Sequence, residues 1–276
     1  MANVGDMRNT GIELSLNADA IRTKDFDWNI SLNLAHNENE VTRLSNDVFT
    51  MDKILLGDVF IRGGSSSGTH VLEEGRPIGQ FYGLVCNGID ENGRYILVDK
   101  DGDGEISDPA DYDYIGSAQP KLTYGITNSF RYKNFDLSFF LRGTIGNDIL
   151  NATRMAYAQS GFLPGTNALD DPLTYTLSET PRFSNYYLEK GSFMRLDNLT
   201  LGYKIKALNG IRVYFTAQNL FVITKYKGLD PEVPMDSGDG LTPGVEPREF
   251  YPKARTFSVG SVSYTHLRAH ETRHDL

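Results

Sequence analysis

Seven stretches of the chain alternate apolar and polar residues with a period of two, the pattern of strands that show one apolar face. Residues 11–20 place Ile12, Leu14, Leu16 and Ala18 on one face, and Glu13, Ser15, Asn17 and Asp19 on the other. Residues 27–36 set Trp28, Ile30, Leu32 and Leu34 against Asn29, Ser31 and Asn33. Residues 122–132 carry Tyr124, Ile126, Phe130 and Tyr132 in phase, and residues 135–146 carry Phe135, Leu137, Phe139 and Leu141. The stretch 193–205 comes into phase at Leu199, Leu201, Tyr203 and Ile205. Residues 211–219 show Val213, Phe215 and Ala217, and residues 255–264 show Phe257 and Val259.

Alternation alone leaves two architectures open. A soluble sandwich or small barrel would turn the apolar face inward, and a membrane barrel would turn it outward. Asn, Ser, Thr and Gln dominate the polar faces, where a soluble protein would usually carry more Lys and Glu. Each strand is close to the roughly 9–11 residues that cross a bilayer when tilted. No apolar run reaches the roughly 18 residues of a membrane helix, a test that barrel strands escape. The connections favour the membrane barrel. Short links at 21–26, 133–134 and 206–210 alternate strictly with long ones at 37–121, 147–192 and 220–254. Loops beyond about 15 residues are uncommon in compact domains, whereas outer-membrane barrels combine short periplasmic turns with long outside loops. The expected fold is all-β, a transmembrane antiparallel β-barrel with long extracellular loops.

Composition narrows the function. The net charge is −9, from 36 acidic and 27 basic residues, which gives no basic face for nucleic acid. Fifteen Tyr, 15 Phe and 27 Gly fit strands and turns. Cys86 is the single cysteine, so no internal disulfide forms. The opening residues "MANVGDMRNTGIELSL" have neither a basic start nor a long apolar run and do not read as a signal peptide.

Eight stretches, in order, carry a family resemblance: "NTGIELSLNADAI", "FDWNISLNLAHNENEV", "GRPIGQFYG", "DKDGDGEI", "IGSAQPKLTYGITNSFRYKNFDLSFFLRGTIGND", "YYLEKGSFMRLDNLTLGY", "VYFTAQNLFVITKYKGLDPE" and "YPKARTFSVG". The chain resembles the C-terminal part of a SusC/RagA-type TonB-linked outer-membrane transporter. The resemblance implies a barrel of about 22 strands, of which residues 1–261 would supply the last seven or so. It implies a plug and a TonB-contacting segment upstream. It also implies a Gram-negative outer-membrane location, a SusD-like surface lipoprotein as lid, and import of oligosaccharides or, in some members, peptides. No catalytic residue is expected. The alternative is a calcium-stabilised surface binding or adhesion protein without transport.

The candidate chemistry lies in the first long connection. Asp99, Asp101, Asp103 and Gly104 match the early positions of a calcium loop, and Glu105 would offer its backbone carbonyl. Ala110 stands where a bidentate Glu is needed, so Asp111, or Asp108 near it, would close the shell across a bulge after Pro109. Neither flank reads as an amphipathic helix, which argues against a helix–loop–helix sensor. A structural Ca²⁺ staple and a metal-free acidic turn both remain open. "HETRH" at 270–274 matches a zinc-protease pattern, but residues 262–276 resemble translated sequencing adapter and are expected to be non-native. The acid pairs Glu73–Glu74 and Asp170–Asp171 read as solvated loop acids. Loop aromatics such as Phe81, Tyr157, Tyr187, Tyr226 and Phe250 read as loop packing, and Trp28, Tyr132 and Tyr203 as an interfacial girdle.

Overall fold

The computed structural model describes residues 5–45, 51–62, 64–208, 211–233, 240–247 and 251–263, with the backbone alone at 64–67 and 208. All seven alternating stretches are strands. β1 (Asp6–Arg22) and β2 (Phe26–Arg43) form a hairpin, closed where the hydroxyl and amide of Thr23 bond the Phe26 backbone. Six strands follow in the first long connection: β3 (Lys53–Ile61), β4 (Gly64–Glu73), β5 (Gln80–Leu84), β6 (Cys86–Ile89), β7 (Tyr95–Leu97) and β8 (Tyr112–Ser117). β9 (Leu122–Tyr132) and β10 (Phe135–Ile145) form a second hairpin. The second connection holds β11 (Asp148–Leu150), the short helices α1 (Ala152–Tyr157) and α2 (Pro172–Thr176), and β12 (Leu188–Lys190). β13 (Phe193–Ile205) and β14 (Ile211–Thr224) pair next, and β15 (Thr256–Val262) follows the third connection.

β1, β2, β9, β10, β13, β14 and β15 form one antiparallel sheet in that order. Its register stacks like residues on like. Trp28, Phe130, Leu137, Leu201, Phe215 and Val259 form a row on one face. One residue along, Asn29, Ser129, Ser138, Thr200, Thr216 and Ser258 form a row on the other. The apolar face lies open, with Ile12 75% and Val259 82% exposed. Among the described residues, none of the buried hydrophobic clusters lies on this face. An apolar face this broad belongs in lipid, because exposed patches on soluble monomers rarely exceed a few hundred Å². At the short-turn end the face finishes in an aromatic row, Phe26, Tyr132, Phe135 and Tyr203, with the last two rings 4.5 Å apart. Asn128 is the polar residue on this side of β9, and it accepts the Trp28 indole N–H at 3.1 Å.

The first hairpin is longer than the alternation indicates. Beyond Ala35, the strand that pairs with β2 is β1, with Arg8–Glu40 at 2.5 Å and Arg43–Asp6 at 2.8 Å across the ribbon, and Val41 also exchanges backbone bonds with Gly75 and Arg76. Charged residues break the alternation here, so the sequence reads as loop where the ladder continues.

The core lies in the connections. Val59, Phe81, Ala118, Leu150, Met155, Leu173 and Tyr187, drawn from the first two, share one buried cluster. The third joins by backbone bonds, Leu150 N–H to Gly244 O and Glu246 N–H to Leu150 O. Gly244 has φ +77, and a Cβ there would lie 2.6 Å from that of Ala118, so the close approach needs glycine. Buried His70 on β4 reaches Pro243 O at 2.9 Å and packs on Phe81. The three connections are therefore one cap.

The two faces should answer differently to charge. Phe139→Arg, about midway along β10 on the apolar face, is expected to cost about 2–4 kcal/mol of folding stability in a bilayer, and Ser138→Arg about 1 or less. Reversible urea unfolding of the receptor in vesicles measures both, and equal effects would mean that the face assignment is wrong.

Candidate functional site

The polar face ends, near the cap, in a cluster of charged residues that a β-bulge creates. Counting back by two from Leu199 would put Asp197 and Arg195 on the apolar face. Instead the ladder skips Asp197, so Leu196 pairs with Leu141 and Arg195 with Arg142. The skip brings Arg195 onto the polar face, the kind of re-aiming that bulges perform.

Arg195 is 1% exposed. A guanidinium taken out of water needs partners on every side. It bonds Asp230 Oδ1 at 2.5 Å and Asn219 Oδ1, and its Nε lies 3.4 Å from Glu232 without hydrogen-bond alignment. Arg142 binds Glu232 and, at 3.0 Å, Asp197; Lys253 also binds Glu232. Burial by itself would raise the Glu232 carboxyl, but hydrogen bonds from Arg142 and Lys253 outweigh it and hold it below the usual carboxylate range. Asp230 and Glu232 belong to the third connection, which is thereby strapped to the wall. Beneath this strap is a cavity of about 300 Å³, between Pro231, Glu232 and Val233 on one side and Thr123, Arg142, Thr144 and Phe193 on the other. An apolar lining with a few convergent polar groups suits a small ligand or part of a larger one.

The acidic loop joins β7 to β8, with strands rather than helices on both flanks. Asp99, Asp101 and Asp103 each bring one carboxylate oxygen within 4.8 Å of the others, and these three could hold a cation. They also fold the loop: Asp99 accepts the amides of Gly102 and Gly104, Asp101 that of Asp103, and Asp103 that of Glu105. Glu105, whose backbone carbonyl was the expected ligand, has its carboxylate outside this group. So does Asp111, which is fully buried beneath the loop and accepts the amides of Lys100 at 2.6 Å and Ser107 at 2.8 Å. Those bonds, Ser107 first and then Lys100, hold its carboxyl below the usual range. Asp108 turns away to Arg182, 2.8 Å off.

Of the acid pairs, Glu74 and Asp170 are exposed as expected, whereas Glu73 and Asp171 are half-buried. Glu73 pairs with Lys53 and Arg76, Glu74 accepts the Leu44 amide, and Asp171 caps α2 while binding Arg154 at 2.8 Å. Tethering long connections to one another requires such bonds, and composition alone does not reveal them. Phe81, Tyr187 and Tyr226 are buried within the cap. His270, Glu271, His274 and Phe250 lie outside the described residues. Alternation did not reveal the charge cluster; its signal was an arginine in each of two adjacent strands, "FLRG" and "FMRLD", facing the acids of "GLDPE".

Removing one member of a buried ion pair strands the other. Arg195→Met should destabilise the protein by about 3–5 kcal/mol. Arg195→Met/Asp230→Asn should recover a large part of that loss in thermal unfolding. A double variant as unstable as the single one would mean that Asp230 is not the partner that matters.

No protein-family model matches the chain. Among curated proteins it is 36% identical to the TonB-dependent receptor SusC of Bacteroides thetaiotaomicron, over 94% of this chain and 26% of that protein. It is 32% identical to the TonB-dependent receptor P3 of Formosa agariphila, over 94% of this chain and 29% of that protein. Among solved structures, the RagAB peptide transporter superposes with a TM-score of 0.73 at 27% identity, covering 94% of this chain and 29% of that one. The RagAB peptide importer in its "open-open" state gives 0.70 at 26% identity, over 93% and 28%. The chain thus spans less than a third of the relatives it matches. With this match in fold and identity along almost its whole length, it belongs to the SusC/RagA family of TonB-dependent receptors.

Proposed function

We propose that the chain forms part of the wall and outer cap of an outer-membrane importer, driven through TonB, that takes up oligosaccharides beneath a SusD-like lipoprotein. The observation that carries this reading is the arrangement of the sheet. Its apolar face is open, its opposite face is polar, and three long connections knit into one cap at one end. In such a wall the polar rows line a lumen and the cap meets cargo and lid. No step of covalent chemistry is involved. The wall supplies a hydrated path, and the strap held by Arg142 and Arg195 keeps the third connection against it. A second reading, peptide cargo, draws support from the likeness to RagAB.

Deleting the gene of the full-length receptor should abolish growth on one member of a panel of purified polysaccharides, and so should deleting its TonB-contacting segment. Loss of growth on peptides alone would favour the second reading. Unimpaired growth on both panels would overturn import.

In this reading the acidic loop has a supporting role, with Ca²⁺ bridging Asp99, Asp101 and Asp103 to stiffen a connection that faces cargo or lid. Extracellular sites of this kind bind at about 10⁻⁴–10⁻³ M. Millimolar Ca²⁺ is therefore expected to slow proteolysis of the first long connection, and Asp101→Ala to abolish that protection. Equal protection in the variant would leave a metal-free turn.

A further inference from the structure

Glu246, in the third connection, is 1% exposed. Its Oε1 accepts the Leu229 amide at 3.0 Å, while its Oε2 has no hydrogen-bond partner. Among the described residues no Lys or Arg pairs with it. One amide bond does not replace the hydration that a buried carboxylate gives up. The Tyr226 hydroxyl beside it also lacks an aligned partner. Burial, and then the nearness of Glu246, pushes that hydroxyl well above its ordinary pKa, so Tyr226 adds no charge of its own.

Glu246 stands between two cavities. The larger, about 520 Å³, includes Asp58. The smaller, about 220 Å³, lies between α1 and the third connection and is lined also by Thr153, Asp170 and Lys227. The Thr153 Oγ1 in this lining is likewise buried with no hydrogen-bond partner among the described residues. Arg154 at the same cavity is neutralised by both oxygens of Asp171. Lys227 and Asp170 are exposed at the mouth. Among the described residues the interior therefore presents the oxygens of Glu246 and Thr153, with no Lys or Arg paired to the Glu246 carboxylate.

We propose that the smaller cavity is a subsite for a primary ammonium group, bound by Glu246 Oε2 and Thr153 Oγ1 with Asp170 at the entrance. An ammonium carries three donors and no acceptor, which is the complement of this lining. A sugar hydroxyl donates only once and would leave the charge uncompensated. The subsite rests on the import reading, since it assigns the cavity to cargo. Amino sugars and peptide amines offer the same group.

The full-length receptor, purified in detergent, is titrated calorimetrically with a glucosamine trimer, its N-acetylated form, triglycine amide and N-acetyl-triglycine amide. The amine form of at least one pair should bind about tenfold or more tightly than its acetylated form, the size expected for hydrogen bonds to a charged group. Which pair responds identifies the source. Glu246→Gln keeps the acceptor for Leu229 and should erase the difference. Asp170→Asn, exposed and outside the core, should narrow it. The subsite is overturned if neither amine binds, if acetylation changes nothing, or if the preference survives Glu246→Gln. Loss of the subsite would leave import standing, because growth on polysaccharide or peptide is measured independently.

Discussion

A backbone that crosses lipid must satisfy every N–H and C=O within the protein, because no water is there to do it. An antiparallel ladder meets that demand between neighbours, and here the ladder joins all seven strands in chain order. Its consequence is the division of faces. Once register is set, period two sends every second side chain to the same side, so Leu137 and Leu201 share one environment and Ser138 and Thr200 the other. A sheet built this way has no hydrophobic core of its own. Its apolar residues face out, and its polar residues face one another.

The buried core is therefore displaced into the connections. Phe81, Leu150, Met155 and Tyr187 pack together although they come from segments far apart in the chain. Close backbone approaches, such as Gly244 against Ala118, and buried polar bonds, such as His70 to Pro243, fasten the third connection to the other two. This core is small, and ion pairs and amide-capping carboxylates supplement it throughout. Asp111 beneath the acidic loop and Asp171 at the start of α2 do the same job in different places.

Cap and wall meet at the bulge at Asp197. By shifting phase for one residue, it sends Leu196 to the apolar side and Arg195 to the polar side. The buried Arg195 then requires the carboxylates that the third connection brings. One local irregularity in a strand thus sets the place where a long loop is pinned, and the cavity under Pro231 and Val233 exists because the strap is held there.

The strands and the division of faces were legible in the sequence, since alternation is a local pattern and the ladder preserves it. β9 and β13 have the bounds that the pattern indicates. The three aspartates that gather in the acidic loop were legible too, because they are neighbours in the chain. The extension of the first hairpin was not, because its Arg and Glu residues match each other only across the strands. Nor were the ion pairs of Arg142 and Arg195 or the isolation of Glu246, which depend on groups brought together from distant segments. Local order follows from which residues are adjacent in the chain, whereas burial and charge pairing follow from which residues the fold makes adjacent in space, and only the tertiary structure decides that.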